Sequence, residues 1–163
     1  MDQTFIAAYK ADIIVQYRAQ KRMADEALAR VDDRAFSTRL HADGDEHINS
    51  IAILVKHIGG NLHSRWTDFL STDGEKPERH REREFMQEES DSRADIMRNW
   101  ERGWQTLFDT LAALRDEDFA RTVTIRGEPH MVLQAIHRNL LHVAHHIGQI
   151  DLLATLLRGT NVE

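Results

Sequence analysis

The chain has 163 residues, of which 41% are hydrophobic and 29% charged, and this composition is typical of a single globular domain over residues 1–163. The formal net charge of −6 argues against a nucleic-acid partner, which requires a basic face. Because no cysteine is present, disulfides, thiolate ligands and a cysteine nucleophile are excluded, and we expect a cytoplasmic location. No signal peptide or uninterrupted apolar run of about 18 residues is evident, so no membrane partner is expected.

Apolar residues at helical spacing predict four long helices. The first runs from residue 4 to about 30, and the second from about 47 to 70. The third begins at the N-capping cluster of residues 90–92 and ends near 115. The fourth runs from about 131 to 157. The pattern therefore predicts an all-α four-helix bundle.

The first two connections between these helices are polar, and the third, before the last helix, alternates polar and apolar residues. Residues 31–45 carry turn chemistry, and residues 75–89 predict a charged, solvated loop with one helical turn around 81–85. The alternative for residues 75–89 is a mobile loop over a cleft, offering its arginines to an anionic substrate. Polar and apolar residues alternate over 121–125, and Arg126-Gly127 follows, which predicts a short hairpin or extended crossover before the last helix.

Two histidines on the fourth helix indicate a functional site. At about 100° per residue, His142 and His146 lie about 40° apart on one helical face. Two neutral imidazoles one turn apart form half of a transition-metal site, and His57 on the second helix is the best candidate for a third ligand. The alternative is a hydrogen-bonded histidine pair within the helix packing, partnered by Asn139 or Gln149.

Several neighbouring features limit the chemistry. His145 projects about 60° from His142 and about 100° from His146, so it cannot easily join the same ligand set. No glutamate follows His142 as a His-Glu-x-x-His peptidase requires, and no phosphate loop or serine elbow is present. Gly59 and Gly60 lie in mid-helix, where each glycine lowers helix stability by about 1 kcal/mol relative to alanine. Close helix packing or backbone approach to a ligand would offset this loss.

The fourth helix carries a second apolar stripe on the side away from the histidine pair. Its members are Leu133, Ile136, Leu140, Val143, Ala144 and Ile147. A helix covered on both sides lies at the centre of a domain or at a subunit interface. We therefore expect a homodimer.

These features together resemble the DinB superfamily of metal-dependent enzymes. The resemblance depends on four helices, a histidine mid-way along the second, and the motif His-x-x-x-His-x-Gly-Gln on the fourth. It covers most of the chain, and one branch with no assigned reaction is particularly similar, over residues 49–52, 56–61, 65–70, 72–77 and 125–130.

The resemblance implies a DinB-like, up-down-down-up bundle whose metal ligands are His57, His142 and His146. It also implies zinc or nickel as the cofactor, and frequent dimer formation. Characterised relatives in that superfamily include S-transferases that use bacillithiol or mycothiol, and a maleylpyruvate isomerase that uses mycothiol.

The resemblance therefore implies a metal-dependent enzyme that transfers a low-molecular-weight thiol to a small electrophilic substrate. Gln149 and Asn61 are expected to orient the ligands or the substrate, and Arg65 to hold an anionic group. Two alternatives stay open. One is a hydrolase that uses metal-activated water, and the other is a non-enzymatic helical module for binding or dimerisation.

Overall fold

The computed structural model describes residues 3–40, 48–88 and 91–158, and it shows an all-α bundle with one small hairpin. In chain order its helices are α1 (Gln3–Leu28), α2 (Asp33–Ser37), α3 (Ile51–Trp66), α4 (Arg81–Glu84), α5 (Arg93–Ala113) and α6 (Val132–Leu157), with a 3₁₀ helix at Asp116–Ala120. The antiparallel strands are β1 (Thr122–Ile125) and β2 (Glu128–Met131). The predicted fold class and the hairpin crossover are confirmed.

The helix bounds follow from capping. The second predicted helix is α3, which begins only at Ile51 because the Ser50 hydroxyl accepts a hydrogen bond from the Ile53 N–H. It ends at Trp66, and Asp68 then adopts a left-handed conformation with φ of 48°. The predicted start at residue 47 lies outside the described residues. α5 begins as expected, since the Ser92 hydroxyl caps its first turn.

The long helices have an up-down-down-up arrangement. α1 runs parallel to α6, as the contacts Tyr17–Asn139 and Arg30–Asp151 show. α3 runs antiparallel to α6, through Trp66–Asn139 and His57–His142. α3 and α5 are parallel, through Lys56–Asp91 and Trp66–Thr110. This arrangement sets the middle of α3 against the middle of α6, where the histidines lie.

α3 and α5 approach each other closely at glycine. A Cβ atom added to Gly103 would lie 2.6 Å from the Gly59 carbonyl oxygen, and one added to Gly59 would lie 3.1 Å from the Trp100 backbone. Trp100 and Trp104, which lie beside this contact on α5, are fully buried. Close helix packing therefore explains the first of the two mid-helix glycines.

We expect Gly103→Ala to lower the free energy of unfolding by about 2 kcal/mol, because the new methyl group must displace the α3 backbone. Gly148→Ala is the matched control on α6, since nothing lies within 4 Å of its added Cβ. It should raise the free energy of unfolding by about 0.5–1 kcal/mol. Urea denaturation measures both values. Equal effects of the two substitutions would contradict the close approach.

α6 has a buried apolar face and a separate exposed apolar strip. Ile136, Val143 and Ile147 are buried as predicted, while Leu133 and Leu140 are half-buried against the core. The exposed apolar residues form a separate strip at Leu141, Leu152 and Leu156, which are 71%, 59% and 52% exposed.

A homodimer stays a prediction, and sedimentation at micromolar concentration tests it. By length and composition α6 could also cross a membrane, a weak indication because the core helix of a soluble protein meets the same criterion.

Candidate metal centre

Three histidine side chains from two helices converge in the bundle. The candidate ligand nitrogens of His57 on α3 and of His142 and His146 on α6 all lie within 4.8 Å of one another. His57 is buried, and the other two are partly buried. The antiparallel packing of α3 on α6 brings residues 85 positions apart in the chain to a 3.0 Å contact between the Nε2 atoms of His57 and His142.

These separations suit one metal ion. In a tetrahedral zinc site each imidazole nitrogen lies about 2.0–2.1 Å from the ion, so two such nitrogens are about 3.3–3.4 Å apart. The 3.0 Å between His57 and His142 is close to this value. The third imidazole lies at a similar distance from both, with ring centroids of His146 4.7 Å from His142 and 5.0 Å from His57.

A carboxylate fixes the tautomer of His57. Its Nδ1 lies 2.8 Å from Glu84 Oε2, and since an ionised carboxylate only accepts hydrogen bonds, Nδ1 donates. In the neutral form of the ring, the lone pair is then on Nε2. Burial alone would raise the pKa of Glu84, but hydrogen bonds from His57 and Arg79 outweigh it and lower that pKa. Arg79 binds both Glu84 oxygens at 2.7 Å and also pairs with Glu75.

Glu84 and Arg79 were not recognised in the sequence. Both lie within residues 75–89, which were predicted to be a solvated charged loop. The helical turn predicted there is present as α4, but the side chain of Arg79 is only 5% exposed and that of Glu84 only 11% exposed. Glu84 lies between Arg83 and Phe85 in a charged stretch, and this local pattern does not indicate that its side chain faces inward.

The second mid-helix glycine makes room for this carboxylate. A Cβ atom at Gly60 would collide with the Glu84 carboxylate group. Gly60 therefore lets Glu84 lie against the α3 backbone and reach His57, one turn earlier on the same helix. The two consecutive glycines serve different purposes, since Gly59 permits helix packing and Gly60 admits a charged side chain.

On α6, His142 and His146 are neutral at neutral pH. Burial, followed by the neighbouring His146 and His57, lowers the pKa of His142 to about 3. Burial also lowers the pKa of His146, while the hydrogen bond that His146 donates to Gln149 acts to raise it. His146 Nδ1 lies 2.7 Å from Gln149 Oε1, an acceptor, so its Nε2 lone pair is free. Unprotonated imidazole is the form that binds a metal.

The positions of the protons on the three imidazole rings distinguish a metal-ion site from a hydrogen-bonded histidine pair. Without an ion, His142 Nε2–H would donate to His57 Nε2, which leaves the unprotonated Nε2 of His146 without a donor from either ring. One cation would engage all three nitrogens. Of the two predicted partners of a histidine pair, Gln149 is hydrogen-bonded to His146. Asn139 has no hydrogen bond to the three histidines and is hydrogen-bonded instead to Tyr17, Trp66 and Asn61. The residues present therefore fit a metal ion better than a histidine pair.

A family model described as "Protein of unknown function (DUF1572)" matches residues 4–163. The chain belongs to the DUF1572 family. It matches no curated protein and no solved structure. Since the DUF1572 description assigns no reaction, the function of this member has to be argued from its site.

In this DUF1572 chain a pocket of about 160 Å³ opens beside His57 and His142. The pocket is lined by two of the residues predicted from the sequence, Asn61 and Arg65. The third, Gln149, does not line it and is hydrogen-bonded to His146. The Oδ1 of Asn61 accepts a hydrogen bond from Asn139 at 2.8 Å, so Asn61 is held rigidly in the pocket wall.

Glu84 also borders a larger cavity of about 1070 Å³ between α3, α5 and residues 72–88. None of the three histidines lines that cavity. The small pocket, which His57 and His142 line, is therefore the place where a substrate could meet a bound metal.

Proposed function

We propose that this chain is a metal-dependent enzyme that binds one divalent transition metal through His57, His142 and His146 and acts on a small molecule. The observation that carries the proposal is the convergence of three imidazoles, two of which line a pocket. Zinc and nickel both suit this ligand set. Three protein ligands leave a coordination position for a further molecule, as in catalytic rather than structural zinc sites.

When bound, the metal would supply Lewis acidity and lower the pKa of a thiol or water molecule entering the pocket. The chain's own residues prepare the site for it. Glu84 and Gln149 hold the Nδ1 protons of His57 and His146, which keeps both Nε2 lone pairs directed inward. Arg79 keeps Glu84 ionised, and Asn61 and Arg65 form the wall against which a substrate lies.

The reaction we propose is transfer of a low-molecular-weight thiol to a small electrophilic substrate. The thiol loses its proton to solvent, and its sulfur forms a bond to the electrophilic carbon. The bond from that carbon to a leaving group breaks, and the leaving group departs with the bonding electrons and takes up a proton from solvent. Because the chain has no cysteine, a sulfur nucleophile has to arrive as a co-substrate. The resemblance of the histidine motifs to the DinB superfamily supports this choice.

Hydrolysis of a small substrate is the second candidate, and the size of the pocket favours it. At about 30 Å³ per water molecule, 160 Å³ holds about five waters, so a thiol co-substrate could place only its sulfur-bearing end inside. The non-enzymatic alternative, a helical binding module, requires that the histidines serve structure alone.

Elemental analysis of protein purified without a histidine tag tests the metal site. We expect about one zinc or nickel per chain in the parent protein and a stoichiometry near zero for His142→Ala. Equal metal content in the two proteins, or none in either after incubation with zinc and nickel, would contradict the proposal and favour the helical module.

A substrate screen of the metal-loaded protein separates the two reactions. Bacillithiol, mycothiol and glutathione, each with a model electrophile, test transfer, and small esters without thiol test hydrolysis. Turnover that requires a thiol supports transfer, while ester turnover without thiol supports hydrolysis. In either case His142→Ala should reduce the rate to background.

A further inference from the structure

Four arginines line the small pocket beside the histidines. They are Arg65, Arg81, Arg126 and Arg138. Each comes from a different element, namely α3, α4, the β1–β2 turn and α6. No carboxylate lines the pocket within the described residues. Four converging guanidinium groups repel one another unless an anion lies between them.

Arg65 is the most constrained of the four. It is only 6% exposed, and its Nε is buried without a hydrogen-bond partner in the described part of the chain. Burial, together with the nearby Arg138, lowers its pKa to about 10. A Cβ atom at Gly74 would lie 2.9 Å from Arg65 Cδ, so the chain also approaches Arg65 closely there. The charge of Glu75 acts against the lowering of the pKa of Arg65, but no carboxylate forms an ion pair with Arg65 within the described residues. A buried cation without a directly paired counter-ion is costly, which indicates a missing anionic partner.

The other three arginines are only partly neutralised. Arg126 pairs with Glu75 at 3.3 Å, but Glu75 also pairs with Arg79. Arg138 contacts a ring nitrogen of His130 at 3.0 Å, and Arg81 lies over the Phe85 ring at 5.3 Å. These contacts leave a net positive charge facing the pocket.

The chain holds Arg126 in a specific backbone conformation. Arg126 has a φ of 55° and Gly127 a φ of 78°, and L-residues such as Arg126 rarely adopt positive φ. The Asp73 carboxylate accepts hydrogen bonds from both backbone N–H groups at 2.8 Å, which fixes the turn. The fold therefore keeps this arginine at the pocket.

We propose that the arginine pocket binds an oxyanion, carboxylate or phosphate, on the substrate, which makes that substrate a small anion; the assignment rests on the proposed metal-dependent function. Guanidinium groups pair with carboxylate and phosphate through two parallel hydrogen bonds, so four of them accommodate more than one negative charge. The 160 Å³ volume is large enough for a phosphate or a short dicarboxylate. The oxyanion would lie beside His57 and His142, with the reacting part of the substrate directed at the metal site.

Calorimetric titration of the full-length, zinc-loaded protein with inorganic phosphate, and separately with succinate, tests this assignment at constant ionic strength. We expect one binding site for at least one probe, and which probe binds more tightly separates phosphate from carboxylate substrates. Arg138→Gln should weaken that binding at least about tenfold, because it removes a charged hydrogen-bond donor from the exposed rim without touching the core.

Arg102→Gln is the matched control. Arg102 is also exposed, but it lines the larger cavity. The affinity of the Arg102→Gln protein for the probe should therefore equal that of the parent protein. Binding of neither probe by the parent, or equal weakening by the two substitutions, would overturn the proposal. Arg65→Gln, checked by thermal melting for an intact fold, should weaken binding more than Arg138→Gln; unchanged affinity in a folded Arg65→Gln protein would also overturn it.

The titration distinguishes failure of this assignment from failure of the metal site. If the parent contains no metal but binds the probe in an Arg138-dependent manner, the arginine pocket stands and the proposed enzyme is wrong. If the parent binds stoichiometric metal but neither probe, the metal site stands and the oxyanion assignment is wrong.

Discussion

Zinc is expected to raise the free energy of unfolding by about 4 kcal/mol when its free concentration is 1,000 times the dissociation constant, and His142→Ala should abolish this increase. The physical reason is that the three ligands lie on two helices and converge only in the folded chain. An ion that binds the folded state alone shifts the folding equilibrium by mass action. Urea denaturation of metal-free protein, with and without buffered zinc, measures the increase.

The control for this prediction is His145→Ala. His145 is adjacent to His146, with ring centroids 5.1 Å apart, but it is exposed and does not belong to the three-nitrogen cluster. His145→Ala should retain the full stabilisation by zinc, while His57→Ala should lose it. Loss of stabilisation in all three variants would show that zinc binds a diffuse histidine patch, and no stabilisation of the parent would refute the site.

Glu84→Gln should reduce the affinity for zinc about 10–100-fold, the usual effect of removing a group that orients a metal ligand. Glutamine keeps the shape of the side chain but lacks the negative charge that holds the Nδ1 proton of His57 and pairs with Arg79. Competition against a chromophoric chelator measures the affinity. Gly60→Ala should weaken zinc binding in the same direction, because its methyl group would occupy the position of the Glu84 carboxylate.

Glu82→Gln provides the matched control for that experiment. Glu82 lies on the same short helix, α4, but it is exposed, with 70% of its side chain accessible. Its substitution should leave the affinity for zinc within about twofold of the parent value. If Glu84→Gln behaves like Glu82→Gln, the Glu84–His57 contact does not contribute to metal binding.

The helices were predictable because the signals that define them are local. Apolar residues three and four positions apart form a buried stripe, and Ser50 and Ser92 satisfy the first free N–H groups of α3 and α5. The end of α3 was placed too late, because no local pattern indicates that Asp68 adopts a left-handed conformation. The proximity of His142 to His146 was likewise predictable, since helical geometry alone determines it.

The sequence by itself determined the bundle, the hairpin crossover and the pairing of the two α6 histidines, since each depends on spacings within one element. Only the tertiary structure decided that His57 reaches them, because that contact depends on the antiparallel packing of α3 on α6. The same holds for Glu84, whose inward orientation depends on the missing side chain of Gly60. It holds too for the arginine pocket, since charges from four separate elements become neighbours only when the chain folds and long-range packing sets their distances.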